Sequence, residues 1–161
     1  MVLKKGNGEE GLATIRVILA YLVAVAVTAV LAVALHSQFV MAGLRSLGAE
    51  IGAAETLRVT AHDIAGMAPL YALFIAVALA LGFLITRMVR IWVHLTPRVS
   101  YAIGGAAAIG LMMVIMRVVL GITVVAGART PGGFAAQCAV GAIGGLVFAL
   151  LYRQAGRATP R

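Results

Sequence analysis

A bundle of four membrane-spanning helices is the fold class this sequence predicts, and three observations predict it. Hydrophobic residues make up 63% of the 161 and charged residues 11%. Soluble domains run at about 45–50% apolar and about 25% charged, and a chain this short has too little interior to hide the excess. The apolar residues gather into four continuous runs of about 20 residues, the number that crosses about 30 Å of hydrocarbon at about 1.5 Å per residue. The cations border these runs, as basic residues flanking spans do. Continuous runs exclude barrel strands, which alternate apolar and polar residues. High hydrophobicity excludes a disordered chain. The chain reads as a single membrane domain over residues 1–161.

The elements follow in order. Residues 1–11 read as a polar, mobile tail. Gly6-Asn7-Gly8-Glu9-Glu10-Gly11 matches GxGxxG, but no strand precedes it and two glutamates repel a pyrophosphate. The first span covers about 15–35. Its apolar run is longer than a signal-peptide core of about 7–15 residues, so it reads as a retained helix. In the loop that follows, Val40, Leu44, Leu47 and Ile51 recur at helical spacing, which predicts a short amphipathic helix at about 38–52 on the outer surface, capping the bundle. The second span covers about 67–86. Thr60-Ala61-His62-Asp63 resembles a capping box and predicts that this helix starts near Ala61, with Pro69 inside it. The third span covers about 99–120. The fourth covers about 131–152, with Thr130 as N-cap and Pro131 at the first helical position.

Small residues recur every four positions in the spans. Ala72 and Ala76 lie in such a stripe in the second, and Gly141 and Gly145 form a GxxxG in the fourth. In lipid, such faces let backbones approach and gain dispersion contact, within one bundle or between subunits.

Charge sets orientation. Lys4, Lys5, Arg16, Arg87, Arg90, Arg98, Arg153, Arg157 and Arg161 lie on the side of the termini; Arg45, Arg58 and Arg129 lie on the other. This bias predicts that both termini face the cytoplasm. The preference for Arg over Lys and for Ala, Gly and Val suggests a bacterial inner membrane. The net charge of +8 therefore reads as topology. No aromatic-interleaved basic patch indicates a nucleic-acid partner.

Few residues carry chemistry. Arg117 interrupts the third span, and an intramembrane cation is a functional hypothesis by default. It either snorkels to the outer interface, pairs with Asp63, Glu50 or Glu55, or lines a substrate path. Gln137 and Asp63 are expected in the same outer polar layer. Arg87, Arg90, His94 and Arg98 form a basic stripe at the inner surface, suited to anionic lipid headgroups. His36, His62 and Asp63 lack a metal-ligand spacing, so no metal is expected. Cys138, the only cysteine, offers no disulfide or CxxC. There is no nucleophile–base pair, HExxH or phosphate loop, and no acid in the middle third of a span, as a proton-coupled carrier needs.

The sequence thus predicts a non-catalytic protein without cofactors. Its expected role is a structural or accessory subunit that contacts membrane lipids and other membrane subunits or copies of itself. A small channel or transporter with an outer polar vestibule around Arg117, Gln137 and Asp63 is the alternative. A lipid-handling protein is the third.

Overall fold

The computed structural model describes residues 5–48, 50–93, 95–120 and 130–157. Among these there are four helices and no strand: α1 (Lys5–Ser46), α2 (Ala53–Val89), α3 (Pro97–Leu120) and α4 (Pro131–Arg157). Each contains a stretch long and apolar enough to cross a membrane. The chain is a multi-pass membrane protein built as a four-helix bundle. The helices close a ring in which α1 packs on α2 and α4, and α3 packs on α2 and α4.

The ring is inside-out by soluble standards. Its centre holds Ala24, Ile75, Leu79 and Ile109, all buried. Its outer faces carry Leu22, Leu84, Ile103 and Leu111, each more than half exposed. A contiguous apolar exterior of this kind is a liability in water and the norm in a bilayer.

Two helices are much longer than the expected spans. At about 1.5 Å per residue, α1, with 42 residues, is about 63 Å long and α2, with 37, about 56 Å, about twice the hydrocarbon thickness of about 30 Å. The separate amphipathic helix expected at 38–52 is not formed. Residues 38–46 are the last turns of α1, because nothing from His36 to Ala42 breaks a helix. The stop comes at Leu47 and Gly48. Leu47 N donates to Leu44 O at 3.1 Å and Gly48 N to Arg45 O at 3.0 Å. Gly48 has a φ of +91°, the left-handed conformation that ends many helices and favours glycine. Leu47 is 85% exposed, so the expected Val40–Leu44–Leu47–Ile51 stripe does not bury as one face.

The expected capping box at Thr60 is also overturned. α2 begins at Ala53 after Gly52, and Thr60 lies inside it, donating to Thr56 O at 2.8 Å. Thr56 does the same to Gly52 O at 3.0 Å. α2 runs on through Pro69. The N-terminal segment, expected from the sequence to be a mobile tail over residues 1–11, is instead helical from Lys5; residues 1–4 lie outside the described residues. At α4 the cap is as the sequence predicts: Thr130 Oγ1 accepts from Gly133 N at 3.1 Å.

Close packing rests on glycine. A Cβ on Gly105 would collide with Gly141 O, and one on Gly145 with Tyr101 O, so α3 and α4 meet backbone to backbone. Gly144 faces Thr28 of α1, and Gly104 faces Thr86 of α2. Each threonine turns its hydroxyl to its own helix, Thr28 to Ala24 O and Thr86 to Gly82 O, both at 2.7 Å. In each pair the hydroxyl oxygen so turned is the atom that a Cβ on the glycine would meet first. Ala72 and Ala76 are half-buried against the core, and Ala76 O accepts a hydrogen bond from Tyr21 Oη.

Candidate functional site

Polar groups in an apolar bundle are the natural place to look for function, because each one buried without a partner costs free energy. They fall into two regions.

The first runs along the α1–α2 seam and into α4. Ser37, fully buried, lies 2.6 Å from Asp63 Oδ2 and 3.2 Å from Val33 O. Farther along, Gln38 Nε2 donates to Thr60 Oγ1 at 3.4 Å. Arg45 donates to Thr56 Oγ1 at 2.7 Å and to Ile51 O at 3.3 Å. These contacts zip the two helices in one antiparallel register up to the turn. Asp63, read from sequence as a cap or a vestibule residue, is a rung of this ladder.

Gln137 sits on the other side of α1. It is fully buried and donates through Nε2 to Ala32 O at 3.0 Å, while its Oε1 has no partner among the described residues. His36 Nδ1 and Tyr71 Oη are likewise buried and unpartnered. Ala32 and Ser37 are about 7.5 Å apart along α1. Gln137 and Asp63 therefore touch α1 at neighbouring levels, one from α4 and one from α2. Arg117 does not join them. It is exposed in the last turn of α3, and no ion pair with Asp63, Glu50 or Glu55 occurs among the described residues. The expected layer is thus two separate buried contacts and an outlying arginine.

The second region is the opposite end. Phe83, Tyr101, Phe148 and Tyr152 build an aromatic cluster across α2, α3 and α4. Phe83 stacks on Phe148 with centroids 4.5 Å apart, and Tyr101 meets both edge-on at 5.5 and 5.1 Å. Such pairs add about 0.5–1.5 kcal/mol beyond burial. The four-residue step from Phe148 to Tyr152 puts these two on one face of α4. Arg90 caps the cluster, its guanidinium 5.8 Å from the Tyr101 centroid, within cation–π range. Arg90 is half-buried, and its Nε is buried without a hydrogen-bond partner among the described residues. Arg87 and Arg98 are exposed on either side in sequence. His94, the fourth member of the expected basic stripe, lies outside the described residues.

Sequence reasoning missed one further feature. An apolar groove of about 810 Å³ opens between α2 and α3, running from Thr86 and Gly104 to Leu73 and Val119. Its floor is the close contact of Gly82 with Gly104 and Ala108, where a Cβ on Gly82 would come within 2.6 Å of Ala108 Cβ. Beyond this contact the two helices leave room between them. Among the described residues no group of three His, Cys, Asp or Glu stands ready to hold a metal. Cys138 is half-buried against Gly110.

Comparison with known proteins adds no relative: no protein-family model, no curated protein and no solved structure matches this chain.

Proposed function

We propose that this protein is a non-catalytic, accessory subunit of a larger membrane assembly, resident in a bacterial inner membrane with both termini in the cytoplasm. The observation that supports it best is the α1–α2 hairpin. Both helices are far longer than a span needs. By the Gln137–Ala32 contact, the start of α4 at Pro131 is level with about Gln38, so residues 39–62 extend past it. The polar ladder stiffens this extension, and it presents Leu47 and Leu57, 85% and 72% exposed. A rigid extension with outward leucines suits a protein partner at the membrane surface. The small-residue faces do not carry the reading, because Gly141, Gly145, Ala72 and Ala76 all pack within the bundle. The basic residues grouped on the side of the termini support the orientation.

A photo-crosslinking residue at Leu57 tests this. The expected outcome is a discrete adduct with one other membrane protein, and a particle in mild detergent larger than the 16.6 kDa chain that shrinks on Leu57→Glu. A stable monomer with no adduct overturns the reading.

A second reading, a small channel or transporter, is favoured by the buried, unpartnered Gln137 Oε1, His36 Nδ1 and Tyr71 Oη. Orphan polar atoms in apolar depth suit a path along which a proton or small ion is handed on. It predicts ion or proton flux in liposomes that Gln137→Leu abolishes. Absence of flux through the wild type ends it.

A further inference from the structure

We propose that the α2–α3 groove holds an acyl chain of an anionic phospholipid whose phosphate is engaged by Arg90, with Arg87 and Arg98 flanking it.

Shape is the first argument. The groove's α2 wall, from Leu73 to Thr86, is about 20 Å long at about 1.5 Å per residue. One leaflet's hydrocarbon is about 15 Å deep. The groove thus matches a single chain entering from the end at Thr86. Its lining is aliphatic and aromatic throughout except for Thr86, whose hydroxyl is already turned to Gly82 O.

Charge at the groove's foot is the second. Ala78, Gly82, Thr86 and Arg90 are spaced by four on α2, so Arg90 lies one turn below the seam that floors the groove. Its guanidinium rests over Tyr101 of α3, and its Nε lacks a partner among the described residues. Just beyond α2, Trp92 is 85% exposed, as headgroup-level tryptophans are. Of the acidic side chains, Glu50, Glu55 and Asp63 lie toward the opposite end of α2. An arginine one turn from a slot for a hydrocarbon chain, with two more exposed arginines near it in sequence, complements a phosphate carrying that chain. A partner helix would satisfy the slot and leave the cations uncompensated.

The single tryptophan of the chain supplies the readout. The protein is reconstituted in phosphatidylcholine vesicles, and Trp92 fluorescence is followed as phosphatidylglycerol or phosphatidylcholine, spin-labelled near the headgroup, is added. The expected result is half-maximal quenching at a mole fraction at least fivefold lower for phosphatidylglycerol. Arg90→Gln removes this preference and Arg90→Lys keeps most of it. Ala107→Phe, which fills the groove without touching a cation, weakens it severalfold. Circular dichroism and elution volume confirm that each variant is folded. Equal quenching by the two lipids overturns the proposal, as does a preference that survives Arg90→Gln. A preference lost equally on Arg16→Gln and unaffected by Ala107→Phe marks a diffuse basic surface and also overturns it. So does native mass spectrometry showing a dimer that carries no lipid.

Discussion

Gly66 and Gly145 both sit inside helices, yet a methyl group would mean opposite things at the two. A Cβ on Gly66 meets nothing within 4 Å; one on Gly145 meets the backbone oxygen of Tyr101. Gly66→Ala is expected to stabilise the protein by about 0.5–1 kcal/mol through backbone entropy. Gly145→Ala is expected to destabilise it by about 1–3 kcal/mol, as overpacking does. Thermal unfolding in detergent checks both; equal effects would mean that α3 and α4 are not in backbone contact. Gln137 gives a second test at this scale. Its bond to Ala32 O contributes on the order of 0.6 kcal/mol in a membrane interior, while its orphan Oε1 costs about 1–3 kcal/mol. Gln137→Leu should therefore stabilise the fold by about 0.4–2.4 kcal/mol, which also makes a loss of flux in that variant interpretable. A drop of more than about 3 kcal/mol would mean that Oε1 has a bound partner.

At the scale of elements, the α1–α2 hairpin makes the sharpest commitment. The contacts from Tyr21–Ala76 to Arg45–Thr56 set one register, with Ser37 and Asp63 facing each other. In a Cys138→Ala background, Ser37→Cys with Asp63→Cys is expected to form a disulfide readily under mild oxidation, and Ser37→Cys with Thr56→Cys is not. The reverse pattern would show a slipped register. This hairpin is also where sequence reading was least accurate, and the reasons are physical. The apolar cores of the spans are marked by composition, and the Thr130-Pro131 start of α4 by its cap. The ends of α1 and α2 are not marked that way. Residues 36–46 are polar enough to suggest a loop, but their polar side chains are met by Asp63, Thr60 and Thr56 of α2, so the helix continues. The Arg45-Ser46-Leu47-Gly48 stop was in the sequence and was outweighed by a four-residue hydrophobic spacing that crosses it. The candidate site was legible residue by residue and not as a constellation. Asp63, Gln137 and Arg90 are each singled out by burying polarity in an apolar chain. Which helix each one faces depends on the ring order, which no local pattern encodes. The groove arises from the spacing of α2 and α3 above a glycine contact, and spacing between helices leaves no trace in either helix alone.

At the scale of the whole molecule, one property governs the rest: many large apolar side chains point outward, while the interior combines small residues with a few large ones such as Ile75, Leu79 and Ile109. Ala20, Ala24, Ala29 and Ala32 are buried, while Leu81, Leu84 and Ile85 are more than half exposed. A hydrocarbon surround makes that arrangement stable, and the four long apolar helices suit four crossings. The ring of four antiparallel helices then puts the 47–52 turn on one side of the bilayer and the 90–96 connection on the other, with the bundle stiff between them.

The most direct test is thiol labelling of single cysteines by a membrane-impermeant reagent in intact cells, again with Cys138→Ala. Glu50→Cys is expected to label at once, and Arg98→Cys only after the membrane is permeabilised. If both positions label from the same side, α2 does not cross, and the four-pass account is contradicted.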